Sequence, residues 1–377
     1  MMANLEVMSR QIETQHNRIF GLDLMRACAI IMVLLGHLTW ILPQNFKTVN
    51  MLLSLLGFLG VEIFFVLSGF LIGRILFRAF ADGDFTFDAV KLFLKRRWFR
   101  TLPNYFLILL LNIVIALWIV DYDIEGLWRY FFFLQNFTDR MPVFFPESWS
   151  LSVEEFAYLL LPFALLLAVS VFGKSNGQKL FLKTIVAVYA LFIGTKIIFT
   201  FTTSLDDLAQ WNIYLKGVVI YRVDAICTGV ICAWLSLNKS NFWHKTRWLA
   251  AFSGVFFGLL LIFGSSFLGI SVVRHHFFWN VVFLPMLSVA IASVLPILSA
   301  WRKRPYGIGK PITYVSLISY SMYLLHYGVV LQLLHGFVLE RVGWQITALL
   351  YFGLTAITSA LLYHNFEKPM TGLRDKH

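Results

Sequence analysis

Long apolar runs recur from one end of this chain to the other, and they carry its first signal. Ten stretches are long and apolar enough to cross a bilayer: 21–43, 51–76, 103–120, 149–173, 180–202, 214–237, 247–267, 275–298, 313–338 and 344–366. A span needs about 20 mainly apolar residues, and in lipid each backbone polar group must be satisfied within its own segment. The runs are therefore predicted to be helices of an all-α, polytopic membrane bundle of about ten transmembrane helices. One intervening stretch has a pattern of its own. Residues 86–100, TFDAVKLFLKRRWFR, mix apolar and basic positions at helical spacing after a candidate N-cap at Thr86, which predicts an amphipathic helix lying at the inner interface.

Composition removes the soluble alternative. The chain is 59% hydrophobic and 14% charged, with a mean hydropathy of +0.75, and a soluble domain cannot bury that much apolar surface. The basic residues then orient the spans. With the N-terminus cytoplasmic, 22 of the 31 lysines and arginines fall in the tails and cytoplasmic loops and 6 in the outer loops. That alternation predicts cytoplasmic N- and C-termini. The net charge of +11 follows from this topology and not from nucleic-acid binding, for which no basic–aromatic platform is present. Cys28, Cys227 and Cys232 all lie in predicted spans, so neither a disulfide framework nor a metal site is expected. Residues 1–18 lack the apolar core of a cleaved signal and read as a cytoplasmic tail, as do 371–377. The stretch 19–370 is predicted to be one integral domain of a multi-pass protein of the cell membrane.

Ionisable residues inside spans cost at least roughly 2.5–3.5 kcal/mol each, so they are candidates for function. They are Asp23, Arg26, His37, Glu62, Glu154, Glu155, Lys196, Arg222, Asp224 and His326. Arg26 and His37 lie eleven residues apart, close to three helical turns, so they share a face about 16 Å apart along the axis. Asp23 shares that face and is a natural partner for Arg26. The plainer reading of Arg26 is an orientation-setting cation, and that of His37 a packed histidine. Glu154 and Glu155 lie about five residues inside the outer boundary of the fourth span, a depth matching that of His37, which permits a His–carboxylate pair. They point about 100° apart, so one of the two can face His37. Arg222 and Asp224 do not share a face, and each is expected to pair across helices, as packing ion pairs or as substrate contacts. His326, beside Ser319, Ser321 and Tyr323, reads as a packing hydrogen bond or a site residue. Glu62 reads as a lone structural carboxylate, and Lys196, near an outer end, as a snorkelling lysine. Arg97 and Arg100 fall three apart beside Pro103. They serve either as an orientation signal that attracts anionic headgroups or as a phosphate site.

Taken together the motifs resemble the acyltransferase-3 family of integral membrane acyltransferases. Arg26 and His37 match its Arg, ten residues, His signature, and Phe64-Phe65-Val66-Leu67-Ser68-Gly69 its Phe-Phe-x-x-Ser-Gly element. Arg97-Trp98-Phe99-Arg100 before Pro103 is similar to its Arg-x-x-Arg element, and Trp149-Ser150-Leu151-Ser152-Val153-Glu154 to its Trp-Ser-Leu-Ser-x-Glu segment. Arg222-Val223-Asp224-Ala225, Ser319-Tyr320-Ser321 through His326, and Glu367-Lys368-Pro369 follow in order. Where the family often has Glu-Glu-Gln-Phe-Tyr, this chain has Glu154-Glu155-Phe156-Ala157-Tyr158, so the role carries to Glu154 alone.

The resemblance implies transfer of an acyl group, most often acetyl, from cytoplasmic acyl-CoA to a hydroxyl of an extracytoplasmic glycan or other small acceptor. It implies Arg26, Ser68, Arg97 and Arg100 at the donor and His37 as general base oriented by Glu154. Glu155, Arg222, Asp224 and His326 are expected at the substrate. No metal takes part, and membrane lipids and the two substrates are the expected partners. A transporter or flippase is the rival class, since polar residues lining a bundle also mark transport paths. Against it stands the lack of an inverted repeat or of paired broken spans. A catalytically silent sensor is a third reading, which the joint presence of His37 and Glu154 opposes. Outer-loop residues Asp121, Asp123, Trp128, Asp206, Asp207 and Trp211 are compatible with sugar contacts.

Overall fold

The computed structural model describes residues 18–82, 85–117, 124–173 and 177–373. Most of the two predicted tails and the loop residues Asp121 and Asp123 lie outside them. Among the described residues the chain is predominantly helical and contains no strand.

Ten main helices match the ten apolar runs: α1 (Phe20–His37), α2 (Lys47–Asp82), α3 (Phe87–Ile115), α4 (Ser148–Phe172) and α5 (Gly177–Thr202). They continue with α6 (Val223–Asn238), α7 (Arg247–Phe267), α8 (Phe278–Ala300), α9 (Gly309–Phe337) and α10 (Leu339–Leu373). Among the described residues nine are long and apolar enough to span, and α6 is a shorter apolar helix. The antechamber to α6 explains the difference. Residues Asn212–Lys216 form one π-helical turn and Val219–Tyr221 one 3₁₀ turn, with Val218 extended between them. Asn136 secures this broken backbone, donating to the Gly217 carbonyl at 2.7 Å and accepting from Val219 N–H at 2.9 Å. Irregular backbone is tolerated at membrane depth when protein rather than lipid satisfies it.

Two other boundaries differ from the sequence reading. The predicted helix 86–100 and the third span are one uninterrupted helix, α3, with Pro103 inside it and Thr86 at its N-cap without a side-chain cap bond. Helix α1 ends at His37, not near residue 43, where a 3₁₀ turn Leu38–Trp40 takes over.

α2 sits at the centre, packed on α1 and α6, while α1 also packs on α9 and α5 on α6. Glycines permit the closest approaches. A Cβ on Gly36 of α1 would fall 2.4 Å from the Gly57 Cα of α2, and one on Gly69 of α2 would fall 2.0 Å from the Ile226 carbonyl oxygen of α6. Small residues in place of side chains let membrane helices pack backbone to backbone. Arg26 meets Ser316 and His37 meets His326, so α1 and α9 run parallel. Parallel first and ninth helices require an odd number of crossings between them, which the seven intervening helices supply when the short α6 is counted with them.

Candidate active site

The face of α1 that carries Arg26 and His37 turns inward against α9, and the two ends face different chemistry. At the Arg26 end, α1, α2, α3, α4 and α9 enclose a cavity of about 100 Å³. Its polar lining includes Arg26, Ser68, Arg97, Arg100, Glu154, Tyr158, Ser319, Tyr320 and Tyr323. Asp23 is held mainly by Arg18, whose Nε donates at 3.0 Å, and stands 3.8 Å from Arg26. Arg26 also donates to Ser316 Oγ at 3.3 Å. Arg97 lies over the Phe93 and Tyr158 rings, and neither Arg97 nor Arg100 forms an ion pair within 4.0 Å among the described residues. Three guanidiniums thus gather at this end, with Asp23 beside Arg26 and the Glu154 carboxylate in the same lining. A second cavity, about 410 Å³, adjoins it. Arg96, Arg97 and Arg100 edge that cavity, and Phe85, Phe93, Leu76 and Ile75 supply its apolar walls.

Glu154 belongs to this arginine end. Tyr158 donates to its Oε2 at 2.8 Å, and Ser68 Oγ lies 2.8 Å from the same hydroxyl. Tyr158 has a single proton and gives it to the carboxylate, so Ser68 is the donor in the second bond. Glu155 turns away from the cavity and accepts from Thr101 at 2.8 Å. The expected His37–Glu154 pair is not formed. The reason lies in the helix ends: His37 is the last residue of α1, whereas Glu154 is about two turns inside α4, roughly 10 Å from its start.

The partner of His37 is His326. Nε2 of His326 lies 3.1 Å from Nδ1 of His37, and that Nδ1 also lies 3.0 Å from the Val33 carbonyl. His326 is wholly buried while His37 is partly exposed. The two imidazoles meet edge to face, and Tyr327 packs on His37 in the same manner. Tyr323, which lines the cavity, contacts the His326 ring at 5.6 Å between centroids. The cavity therefore ends at Tyr323, one ring contact short of the histidine pair.

The remaining intramembrane charges pair away from the cavity. Arg222 holds both oxygens of Glu62, at 2.6 and 2.7 Å, and Lys196 holds Asp224 at 2.6 Å. All four are buried. Glu62 is not a lone carboxylate, and Lys196 does not snorkel. α5 packs on α6, so Asp224 in the first turn of α6 offers Lys196 a nearer counter-ion than the interface does.

Two further ionisable groups were not among the sequence candidates. Glu147, just before α4, is buried and accepts from Gly328 N–H at 2.8 Å, and burial pushes its carboxyl up to about 8. Lys216, in the broken segment before α6, lies over the Phe58 and Trp149 rings. Both look like ordinary loop charges in sequence, because the loop's fold back into the bundle leaves no periodic signal. Among the described residues no group of three or more His, Cys, Asp or Glu is placed to hold a metal ion.

Comparison with known proteins bears on this arrangement. A sequence profile of acyltransferase domains matches residues 19–364. The chain is 26% identical, over 95% of its length and 56% of the relative's, to the "Putative peptidoglycan O-acetyltransferase YrhL" of Bacillus subtilis. It is 23% identical, over 86% of its length and 51% of the relative's, to the peptidoglycan O-acetyltransferase OatA of Listeria monocytogenes. The chain thus spans about half the length of these curated relatives. No solved structure matches it significantly.

Proposed function

The chain belongs to the acyltransferase-3 family, and from that premise we propose that it moves an acyl group, acetyl in the simplest case, from cytoplasmic acyl-CoA to a hydroxyl of an extracytoplasmic glycan. One observation carries the reading: a cavity that opens among Arg26, Arg97 and Arg100 and ends at Tyr323, beside His326 and His37. Guanidiniums without strong carboxylate partners suit the phosphates of such a donor. Pockets that enclose a drug-sized ligand run to about 300–1,000 Å³, so a cavity of about 100 Å³ takes the thioester end alone. The adjoining apolar cavity edged by Arg96, Arg97 and Arg100 has room for the nucleotide end.

In this reading His37 is the general base. Its imidazole takes the proton of the acceptor hydroxyl as the oxygen attacks the thioester carbonyl. The C–S bond then breaks, the thiolate leaves, and the imidazolium returns the proton to sulfur. Glu154, with Tyr158 and Ser68, serves the donor end and not the base. The names of the two relatives favour a carbohydrate acceptor. The excess of basic residues in alternate loops supports an orientation with Arg26 inside and His37 outside.

The test is incubation of membranes holding the full chain with acetyl-CoA labelled in the acetyl group, followed by mass spectrometry of the envelope glycans. Appearance of labelled ester on glycan supports the reading. Passage of intact donor or acceptor across the membrane with no new ester overturns it in favour of transport.

A further inference from the structure

The hydrogen bonds around the two histidines leave one consistent arrangement of their protons. Nδ1 of His326 lies 2.6 Å from the Tyr323 carbonyl. A carbonyl can only accept, so that nitrogen carries a proton, and in the neutral ring Nε2 is then bare. Nε2 faces Nδ1 of His37 at 3.1 Å, so the proton between the rings sits on His37. The Val33 carbonyl, 3.0 Å from the same Nδ1, demands that assignment independently. A bare Nδ1 there would set two lone pairs against each other. His37 is thereby held with Nδ1 protonated and Nε2 bare, and Nε2 has no hydrogen-bond partner among the described residues. It is a free base on the ring that keeps partial exposure.

The backbone around His326 is built to hold this pose. His326–Leu331 is a π-helical turn in α9, a wide turn of the kind that recurs at functional sites. Gly328 N–H turns to Glu147 Oε1 at 2.8 Å. A Cβ on Gly328 would fall 2.2 Å from Asn112 Oδ1 and 2.8 Å from Glu147 Oε1, so the turn fits against these groups because residue 328 has no side chain. Glu147 thus anchors the turn that presents His326.

We infer that His326 is a positioning residue that fixes His37 in the tautomer with a free Nε2. When Nε2 takes the acceptor proton, the bare Nε2 of His326 and the Val33 carbonyl both accept from the imidazolium's Nδ1–H and stabilise its charge. The inference rests on the general-base reading of His37.

Two measurements on the full chain in lipid test it. The first is the ring ¹⁵N spectrum of histidine-labelled wild type, with His37→Gln used to assign the signal. The expected result is His37 with Nδ1 protonated and Nε2 bare, its Nδ1 resonance shifting in His326→Ala. A His37 protonated on Nε2 overturns the inference whether or not transfer has been detected. The second is steady-state transfer. His326→Ala is expected to lower kcat by about 100-fold with the donor KM little changed, and His326→Gln, which restores an acceptor towards His37, to regain at least about tenfold of it. A kcat in His326→Ala within about threefold of wild type overturns the inference. Absence of transfer in wild type contradicts the general-base reading instead, and leaves the tautomer to the spectrum.

Discussion

Replacing Arg222 by Met should destabilise the bundle far more than replacing Arg222 and Glu62 together. The guanidinium sits 2.6 and 2.7 Å from the two Glu62 oxygens, with both side chains fully buried. At an effective dielectric of about 20, one such contact carries about 6 kcal/mol of Coulomb attraction. Most of it offsets the several kcal/mol that each ion loses on leaving water. Removing one partner leaves the other's penalty standing, about 3–5 kcal/mol, or two to four powers of ten in the folding equilibrium. Removing both clears both penalties. It also deletes Nε and Nη1 of Arg222, which are buried without partners. Arg222→Met and Glu62→Leu should therefore each lower the unfolding midpoint strongly. The double variant should return to within about 1 kcal/mol of wild type. Unfolding in mixed micelles, followed by tryptophan fluorescence, reads all three. A double variant as unstable as the singles refutes the packing role. A double variant that is stable but inactive in transfer gives Arg222 a substrate role after all.

Three further outcomes follow from the same geometry. Arg97→Met and Arg100→Met should each raise the donor KM by about tenfold or more with a smaller change in kcat, measured by initial rates against acetyl-CoA; a pure kcat loss contradicts their place at the donor phosphates. Glu147, folded near 8 against 4.5 unfolded, binds its proton more tightly when folded. Its contribution is full below about 4.5 and is lost as pH rises through 8, so Glu147→Gln should flatten the fall in stability between pH 5 and 8 seen by thermal unfolding. Gly69→Val should cost about 1–3 kcal/mol or more and part α2 from α6, because the new Cβ meets the Ile226 carbonyl. Thermal unfolding reads that loss, and a midpoint equal to wild type contradicts the close crossing.

The helical architecture was legible because lipid leaves the backbone few alternatives, and ten apolar runs became ten helices. What failed was local. The start of the sixth span reads as apolar, yet Asn136, from a distant loop, satisfies a broken backbone there. A run of hydrophobic letters cannot record that bond. The shared face of Arg26 and His37 was legible from spacing alone, and both residues meet α9. The partner of His37 was not legible. Apolar boundaries are a poor gauge of depth here, because α1 ends at His37, several residues before its apolar run does. That shift moved Glu154 to the arginine end and left His326, which had read as a packing residue or a substrate contact, against His37. Lys196 was misread for a related reason. It does lie within two turns of its helix end, but the counter-ion Asp224 stands on another helix.

The most direct test of the general-base assignment is transfer by His37→Ala, purified in lipid, with labelled acetyl-CoA and envelope glycan. Loss of ester formation by at least about 100-fold, with the unfolding midpoint and donor binding retained, is the expected result. Ester formation at the wild-type rate by a folded His37→Ala protein would contradict it outright.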